Sequence, residues 1–180
     1  MTQARKNMTD NSICWFAARM HCGSELSVRE RLSKLGTENF LPTEERTRTR
    51  GHSKYEHPII PGMIFVRTTK KRACELPNNM GMPLRYLIDP ATRTLLVVPD
   101  KQMDDFRRVL DLSISEGGLM DAPLHLGDRV RVVKGPLNGV EGNIVEFCGH
   151  TYVVVGLMGN WFARAKVPRA WLELANGRKN

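Results

Sequence analysis

Apolar and polar residues alternate with a period of two along Arg129–Val133, which is the pattern of a strand with one buried face. Gly135-Pro136 follows and ends the strand, because proline lacks the N–H that a ladder requires and both residues favour turns. Gly139 and Gly142 bracket the next strand, where a positive φ or a close backbone approach is expected. The segment therefore predicts two strands joined by a glycine-proline turn.

The same alternation continues towards the C-terminus and predicts a small all-β unit. The dipeptides Gly149-His150 and Gly159-Asn160 are predicted to form hairpin turns. Five short strands fit a closed barrel, which leaves no exposed sheet edge. We expect residues 122–180 to fold alone as this barrel. Its predicted strands are Arg129–Val133, Val140–Phe147, Tyr152–Leu157, Trp161–Val167 and Leu172–Leu174.

The N-terminal part begins with a predicted strand at Ile13–Met20, whose two faces are both largely apolar. A helix follows, because Val28, Leu32 and Leu35 repeat at helical spacing and form one apolar stripe. Ser24 or Ser27 can cap this helix, and Ser27 with Glu30 fits a capping box. Gly36 is a suitable residue to end it.

A basic segment at Arg46–Lys54 predicts a hairpin arm with Gly51 at its tip. In an extended strand, Arg46, Arg48 and Arg50 project from one side, because alternate residues share a face. Three guanidinium groups on one ridge suit contacts with phosphates. A solvated arm that binds nothing is an equally good interpretation.

The segment Ile59–Val66 predicts an apolar strand that enters through a bend at Pro61-Gly62. Core packing explains the residues after the bend. Ile59 and Ile60 precede the proline, which prevents regular pairing, and we therefore predict that they form an exposed apolar pair.

The remaining N-terminal elements complete an α+β pattern, with helices on an antiparallel sheet. Pro77 is expected to end a short helix that begins at Thr69. A second helix opens at Pro99-Asp100, and Met103, Phe106, Val109 and Leu110 form its apolar stripe. Two strands are predicted before it, at Leu84–Ile88 and Leu95–Val98.

The 180 residues are enough for two small domains, and Gly117-Gly118 and Pro123 indicate a joint between them. We predict a disordered tail at 1–12, a first domain at 13–110, a flexible linker at 111–123, a second domain at 124–175 and a tail at 176–180. The net charge of +8 favours acidic partners, nucleic acid first and an anionic membrane second.

Several classes of function are disfavoured by what the sequence lacks. It has no apolar run long enough for a membrane helix and no secretory signal, which favours a cytoplasmic protein. The four cysteines are scattered without a C-x₂-C pair, so no structural metal site is predicted. No catalytic motif is present, and we expect neither an enzyme nor a cofactor.

Taken together, Trp15-Phe16, the segment 60–66 and the glycine-rich segment 126–142 resemble the NusG family of transcription elongation factors. The segment 126–142 itself resembles the KOW motif of that family. The segments 85–89 and 98–106 are similar to UpxY-type paralogues, which act as antiterminators of capsular polysaccharide operons. The resemblance implies a NusG N-terminal-like antiparallel sheet flanked by helices, followed by an SH3-like KOW barrel.

This resemblance also implies a mechanism and partners. A monomer would bind the clamp helices of RNA polymerase through an apolar patch and suppress pausing or termination, near the DNA or RNA of the transcription bubble. The KOW tip would bind a ribosomal small-subunit protein or Rho, although its apolar residues could equally cap the barrel. The implied polymerase-binding residues are Trp15, Phe16, Ile59, Ile60 and Phe65. The predicted nucleic-acid-binding residues are Arg19, His21, Arg46, Arg48, Arg50 and Lys54. The implied KOW contacts are Leu157, Met158 and Trp161.

A second class of function remains open, namely a KOW-containing protein that binds the ribosome or rRNA. The N-terminal pattern discriminates between the two, because a NusG-like domain is not expected in a ribosomal protein.

Overall fold

A computed structural model describes residues 11–48, 53–116, 127–147, 150–157 and 161–175, and the side chains of 112–116, 147, 157 and 161 are outside this description. Two compact units divide between Pro99 and Asp100. The predicted first domain extends to 110, whereas the structure places the third helix, from Asp100, in the second unit. The predicted tails at 1–12 and 176–180 lie outside the described residues except for 11 and 12.

The first unit contains seven strands and two helices in the described residues. Its helices are α1 (Glu25–Lys34) and α2 (Lys70–Asn78). Its strands are β1 (Ile13–Arg19), β2 (Glu38–Phe40), β3 (Thr43–Thr47), β4 (Lys54–Pro58), β5 (Met63–Thr69), β6 (Arg85–Tyr86) and β7 (Val97–Val98).

Five of these strands form an antiparallel sheet in the order β2-β5-β1-β6, and β7 also pairs with β1. β3 and β4 form a separate two-stranded hairpin. One face of the sheet packs on α1 and α2, because Ile64 and Val66 join Leu32 and Leu76 in one buried cluster. The predicted antiparallel sheet with flanking helices is therefore confirmed for this unit.

The chain bends sharply just before β5, as Pro61-Gly62 predicts. Gly62 has a φ of +67°, and a side-chain carbon at this position would lie 2.9 Å from the carbonyl oxygen of Met20. The buried carboxylate of Glu25 fixes the bend, since it accepts the backbone N–H groups of Gly62 (2.9 Å) and Gly23 (2.6 Å). The predicted exposure of Ile60 is wrong, because its side chain is 0% exposed beside this bend.

Two predictions about helix boundaries are also wrong. The capping box at Ser27 does not form, because α1 already begins at Glu25, and the Ser24 hydroxyl instead donates to the carbonyl of His21. Helix α2 continues through Pro77 to Asn78, since a proline in the last turn removes little of the hydrogen bonding. Gly36 does end α1, with a φ of +65°.

The second unit begins with a long helix, α3 (Asp100–Glu116), followed by β8 (Arg129–Val132), β9 (Glu141–Phe147), β10 (His150–Leu157), β11 (Trp161–Lys166) and β12 (Leu172–Leu174). These strands form an antiparallel sheet in the order β11-β10-β9-β8-β12. The first half of the predicted linker is helical, because no glycine or proline occurs before Gly117. Its remainder is outside the described residues, and barrel closure stays a prediction.

Helix α3 packs against β10 and β11 within this unit. The Gln102 side chain donates to the carbonyl of Gly156 at 2.7 Å. Arg108 donates to the carbonyl groups of Pro136 (2.7 Å) and Asn138 (2.9 Å). The buried Asp105 carboxylate accepts the Lys101 ammonium at 2.6 Å. Apolar packing and these polar contacts together hold the helix on the sheet.

The glycines of the second unit have the roles that their spacing predicts. Gly139 has a φ of +86°. At Gly142, a side-chain carbon would lie 2.5 Å from the carbonyl oxygen of Val154. Gly142 therefore allows β9 and β10 to approach each other closely.

Substitution of Gly142 by alanine is expected to destabilise the second unit by about 1–3 kcal/mol, because the added methyl group meets backbone atoms that cannot rotate away. Chemical denaturation measures this loss. Gly139→Ala separates crowding from backbone strain, since no atom lies within 4 Å of the added carbon and the positive φ alone is expected to cost about 1–2 kcal/mol. Equal stability of Gly142→Ala and the parent chain would contradict the close approach.

Candidate nucleic-acid interface

The hairpin formed by β3 and β4 has two chemically different faces. Arg46 pairs directly with Tyr55, and residues opposite each other in an antiparallel ladder share a face. Arg48 lies two positions beyond Arg46 and is on the same side. The first face therefore carries Glu44, Arg46, Arg48, Tyr55 and His57, whereas the second carries Thr43, Glu45, Thr47, Lys54 and Glu56.

Cationic and aromatic groups contact each other on the first face. The guanidinium of Arg48 lies over the Tyr55 ring, with its central carbon 5.5 Å from the ring centroid. The Tyr55 and His57 rings meet edge to face, with centroids 6.2 Å apart. Arg46 forms an ion pair with Glu44. Alternation thus places Arg46 and Arg48 together as predicted, while Arg50 is outside the described residues.

Carboxylates balance the charges on the second face. The Lys54 ammonium contacts Glu45 at 2.8 Å, so this lysine lies on the opposite side from the arginines. The Glu56 carboxylate accepts both terminal nitrogens of Arg29 on α1, one of them at 2.7 Å, and the Thr43 hydroxyl at 2.6 Å. This two-pronged contact ties the hairpin to α1, which is important because an isolated two-stranded hairpin is only marginally stable.

The hydrogen bonds from Arg29 and Thr43 lower the pKa of Glu56 from its ordinary value of 4.5 to about 2. A depressed carboxyl pKa means that the contact is fully formed above the ordinary value and is lost as the pH falls through the folded-state value. We expect the attachment to α1 to weaken between pH 4.5 and about 2. NMR titration of the Glu56 carboxyl carbon measures this pKa, and a midpoint near 4.5 would contradict the contact.

A cleft of about 680 Å³ opens where β1 ends. Arg19 pairs across the ladder with Arg85, and both side chains are exposed. Within the described residues, neither arginine has a carboxylate partner, and the lining contains no acidic residue. The lining residues are Arg19, Met20, His21, Cys22, Met82, Pro83, Leu84 and Arg85. Two neighbouring cations beside an apolar floor suit a ligand that combines negative charge with an apolar part.

The predicted polymerase-binding residues are not an exposed patch. Ile59 alone of the five is partly exposed. The other four are buried, so an exposed patch that includes them, as the resemblance implies, is wrong, whereas the burial of Phe65 agrees with the predicted core packing after the bend. Their exposed fractions are 2% for Trp15, 1% for Phe16, 0% for Ile60 and 1% for Phe65.

Of the predicted KOW contacts, Leu157 is the last residue of β10 and Trp161 is the first residue of β11. The backbones of Leu157 and Trp161 pair with each other at the end of these strands. Their side chains, and all of Met158, are outside the described residues. Their role therefore stays a prediction.

Three features of the interface are absent from the sequence predictions. The register of the hairpin decides whether Tyr55 and His57 lie on the arginine face, and a shift of one residue would move both to the other side. The sequence alone does not give this register. Arg85 lies opposite Arg19 because β1 pairs with β6, which the sequence does not show. The alternation of Tyr55 and His57 is visible in the sequence, but it does not give the register that places these two residues opposite Arg46 and Glu44.

The part of the chain that the structure describes offers no group of three or more histidine, cysteine or acidic side chains that could hold a metal ion. Within the same residues, no helix combines the length and apolar character needed to cross a bilayer. Among the described residues, Cys22 and Cys74 are exposed free thiols.

Comparison with known proteins identifies the family. The model of the NusG family, described as transcription termination factor nusG, matches residues 13–107. A solved structure of Thermotoga maritima NusG is 17% identical, with a TM-score of 0.50, and the match covers 92% of this chain and 98% of that chain. At this identity the match shows similarity of fold alone.

The MjSpt4:Spt5 complex is also matched, in two conformations, at 16% and 17% identity and TM-scores of 0.28 and 0.25. These matches cover 89% and 92% of this chain and 96% and 99% of those chains. The search of curated proteins gives no match. Because the family model spans more than half of the 180 residues, the chain belongs to the NusG family of transcription factors.

Proposed function

We propose that this chain is a transcription elongation and antitermination factor that binds RNA polymerase through its N-terminal part and suppresses pausing or termination. The observation that carries the proposal is the family match over residues 13–107, which includes the sheet, the hairpin and helices α1 and α2. The similarity of segments 85–89 and 98–106 to UpxY-type paralogues supports action at particular operons, of the capsular polysaccharide type.

The clamp helices of the polymerase are the proposed docking partner. Of the five residues implied by the resemblance, Ile59 is the one whose side chain is available for contact. The buried members, Trp15, Phe16, Ile60 and Phe65, would support the surface rather than touch the partner. This division assigns a binding role to Ile59 and a structural role to the other four.

Two basic features support contact with DNA or RNA near the transcription bubble. The hairpin presents Arg46 and Arg48 on one face, and the cleft places Arg19 beside Arg85 with His21 in its wall. Arg50 completes the proposed set. Lys54, which the sequence also predicts, is left out of it because this lysine pairs with Glu45 on the opposite face of the hairpin. Because phosphate contacts release counterions, we expect this binding to weaken steeply with salt.

The C-terminal strands are proposed to form a KOW barrel that binds a ribosomal small-subunit protein or Rho through Leu157, Met158 and Trp161. The described sheet order and the turn glycines are compatible with such a barrel. We further propose that the protein works as a cytoplasmic monomer without a cofactor or catalytic activity.

Affinity purification of the tagged chain from its own cells tests the proposal. RNA polymerase subunits should be recovered with it after nuclease treatment, and Ile59→Glu should reduce that recovery. Ile13→Glu is the matched control, because Ile13 is also an isoleucine of this unit and is 61% exposed. Co-sedimentation with ribosomes without polymerase would instead favour a protein that binds the ribosome or rRNA.

A further inference from the structure

We propose that the arginine-bearing face of the hairpin is a stacking surface that prefers single-stranded nucleic acid to duplex. This stacking face consists of Arg46, Arg48, Tyr55 and His57. The inference deepens the proposed function and rests on it, since it specifies which form of nucleic acid this arm binds and through which chemistry.

The geometry of the stacking face is that of a platform for unpaired bases. Arg48 places its guanidinium 5.5 Å from the centroid of the Tyr55 ring, and His57 meets the same ring edge-on at 6.2 Å. Both arginines are exposed and both rings are half-buried. Unstacked bases bind on aromatic rings and on the planes of arginine side chains, so the Arg48–Tyr55 pair offers a preformed flat surface.

Charge distinguishes the stacking face from the opposite side of the hairpin. On the opposite side, Lys54 and Glu45 neutralise each other, and Arg29 neutralises Glu56. On the stacking face, Glu44 balances Arg46, but among the described residues no carboxylate pairs with Arg48. The one uncompensated cation of the described hairpin therefore lies directly on the aromatic platform.

The contact with α1 supports this choice of face. Arg29 binds Glu56, which belongs to the second face of the hairpin. Successive residues of a strand point to opposite sides, so Tyr55 and His57 face away from the side that Arg29 holds. The stacking face is thus left accessible while the arm remains attached.

An accessible aromatic ring together with one uncompensated arginine favours single strands over duplexes. In a duplex the bases stack on one another, and only the backbone and the groove edges are available to a shallow hairpin. A single uncompensated cation gains little from phosphates alone, whereas an unpaired base can stack on the Arg48–Tyr55 pair. Base stacking on an aromatic side chain is tolerant of sequence, so we expect little preference among sequences.

Fluorescence anisotropy with the full chain tests the inference, using a labelled DNA oligonucleotide of mixed sequence as a single strand and as a duplex. Tyr55→Leu should weaken single-strand binding about tenfold, as expected for one stacked base, and change duplex binding by less than about twofold. Tyr55→Phe and Tyr55→Trp retain a ring and should bind single strands at least as well as the parent chain.

A charge pair on the same hairpin gives a second control. Arg48→Gln should weaken single-strand binding, while Lys54→Gln should leave it nearly unchanged because Lys54 is neutralised on the opposite face. These variants keep the test informative if Tyr55→Leu disturbs the hairpin. Equal effects of Arg48→Gln and Lys54→Gln would overturn the assignment of the face.

The outcomes separate this inference from the proposed function. Binding of single strand and duplex with equal affinity, with no loss in Tyr55→Leu, would overturn the stacking surface and leave nucleic-acid binding intact. Absence of binding to either form at low salt would overturn both the stacking surface and the proposed contact of the chain with nucleic acid. Preferential single-strand binding that is lost in Tyr55→Leu and kept in Tyr55→Phe would support it.

Discussion

Ile60→Ala is expected to lower the free energy of unfolding by about 2–4 kcal/mol, which is the usual cost of removing a fully buried isoleucine side chain. Its neighbour Ile59 is the matched control, because it is the same residue type and is partly exposed. Ile59→Ala should cost less than about 1.5 kcal/mol. Urea denaturation of both variants measures the difference.

The same two variants distinguish a core residue from a binding residue when recovery of polymerase is measured as well. Ile60→Ala should reduce recovery only to the extent that the folded fraction falls, whereas Ile59→Ala should reduce it in a folded protein. A stable Ile60→Ala variant that no longer recovers polymerase would contradict the burial of Ile60 and restore the exposed pair that the sequence predicts.

The second large effect concerns helix α3. A fragment of residues 100–180 should be more stable than a fragment of residues 122–180 by about 3 kcal/mol or more, because removal of α3 uncovers apolar surface on β10 and β11. It also removes the partners of the Gly156 and Pro136 carbonyl groups. Chemical denaturation of the two fragments measures the difference.

The shorter fragment also tests the sequence prediction that residues 122–180 fold alone as a barrel. A cooperative transition with a β-type circular dichroism spectrum would agree with that prediction, even at lower stability. A spectrum dominated by helix would contradict it. Equal stability of the two fragments would instead contradict the contribution of α3.

Period-two alternation and helical spacing correctly predicted strands and helices whose buried face is set by residues close together in the sequence. The apolar face of Arg129–Val133 and the stripe of Met103, Phe106 and Leu110 are examples, and these side chains are indeed buried where predicted. The conformations of Gly36 and Gly139 could also be predicted, because positive φ depends on the local backbone.

The failures occur where distant residues decide the outcome. The position of Ile60 before a proline predicts that its side chain is exposed. In the structure, the carboxylate of Glu25 on α1 fixes the bend at Gly62, and Ile60 is buried beside this bend. The apolar stripe of α3 predicts that the helix packs on something, but it does not identify β10 and β11 as the partner.

The candidate interface shows the same division. Alternation placed Arg46 and Arg48 on one face, but the pairing of Tyr55 with Arg46 requires the register of the hairpin. The neighbouring positions of Arg19 and Arg85 depend on the pairing of β1 with β6. Residue type could not show that Lys54 faces away from the arginines, since only the register assigns it to the side of Glu45.

The most direct test of the account is the occupancy of the tagged chain across the genome, measured beside that of RNA polymerase in the same cells. The account predicts that the chain is found on DNA only where polymerase is transcribing, and that its signal is concentrated on a small number of operons. Ile59→Glu should remove that signal while the protein remains folded. Signal independent of polymerase, or recovery of ribosomal RNA in place of polymerase-bound DNA, would contradict it.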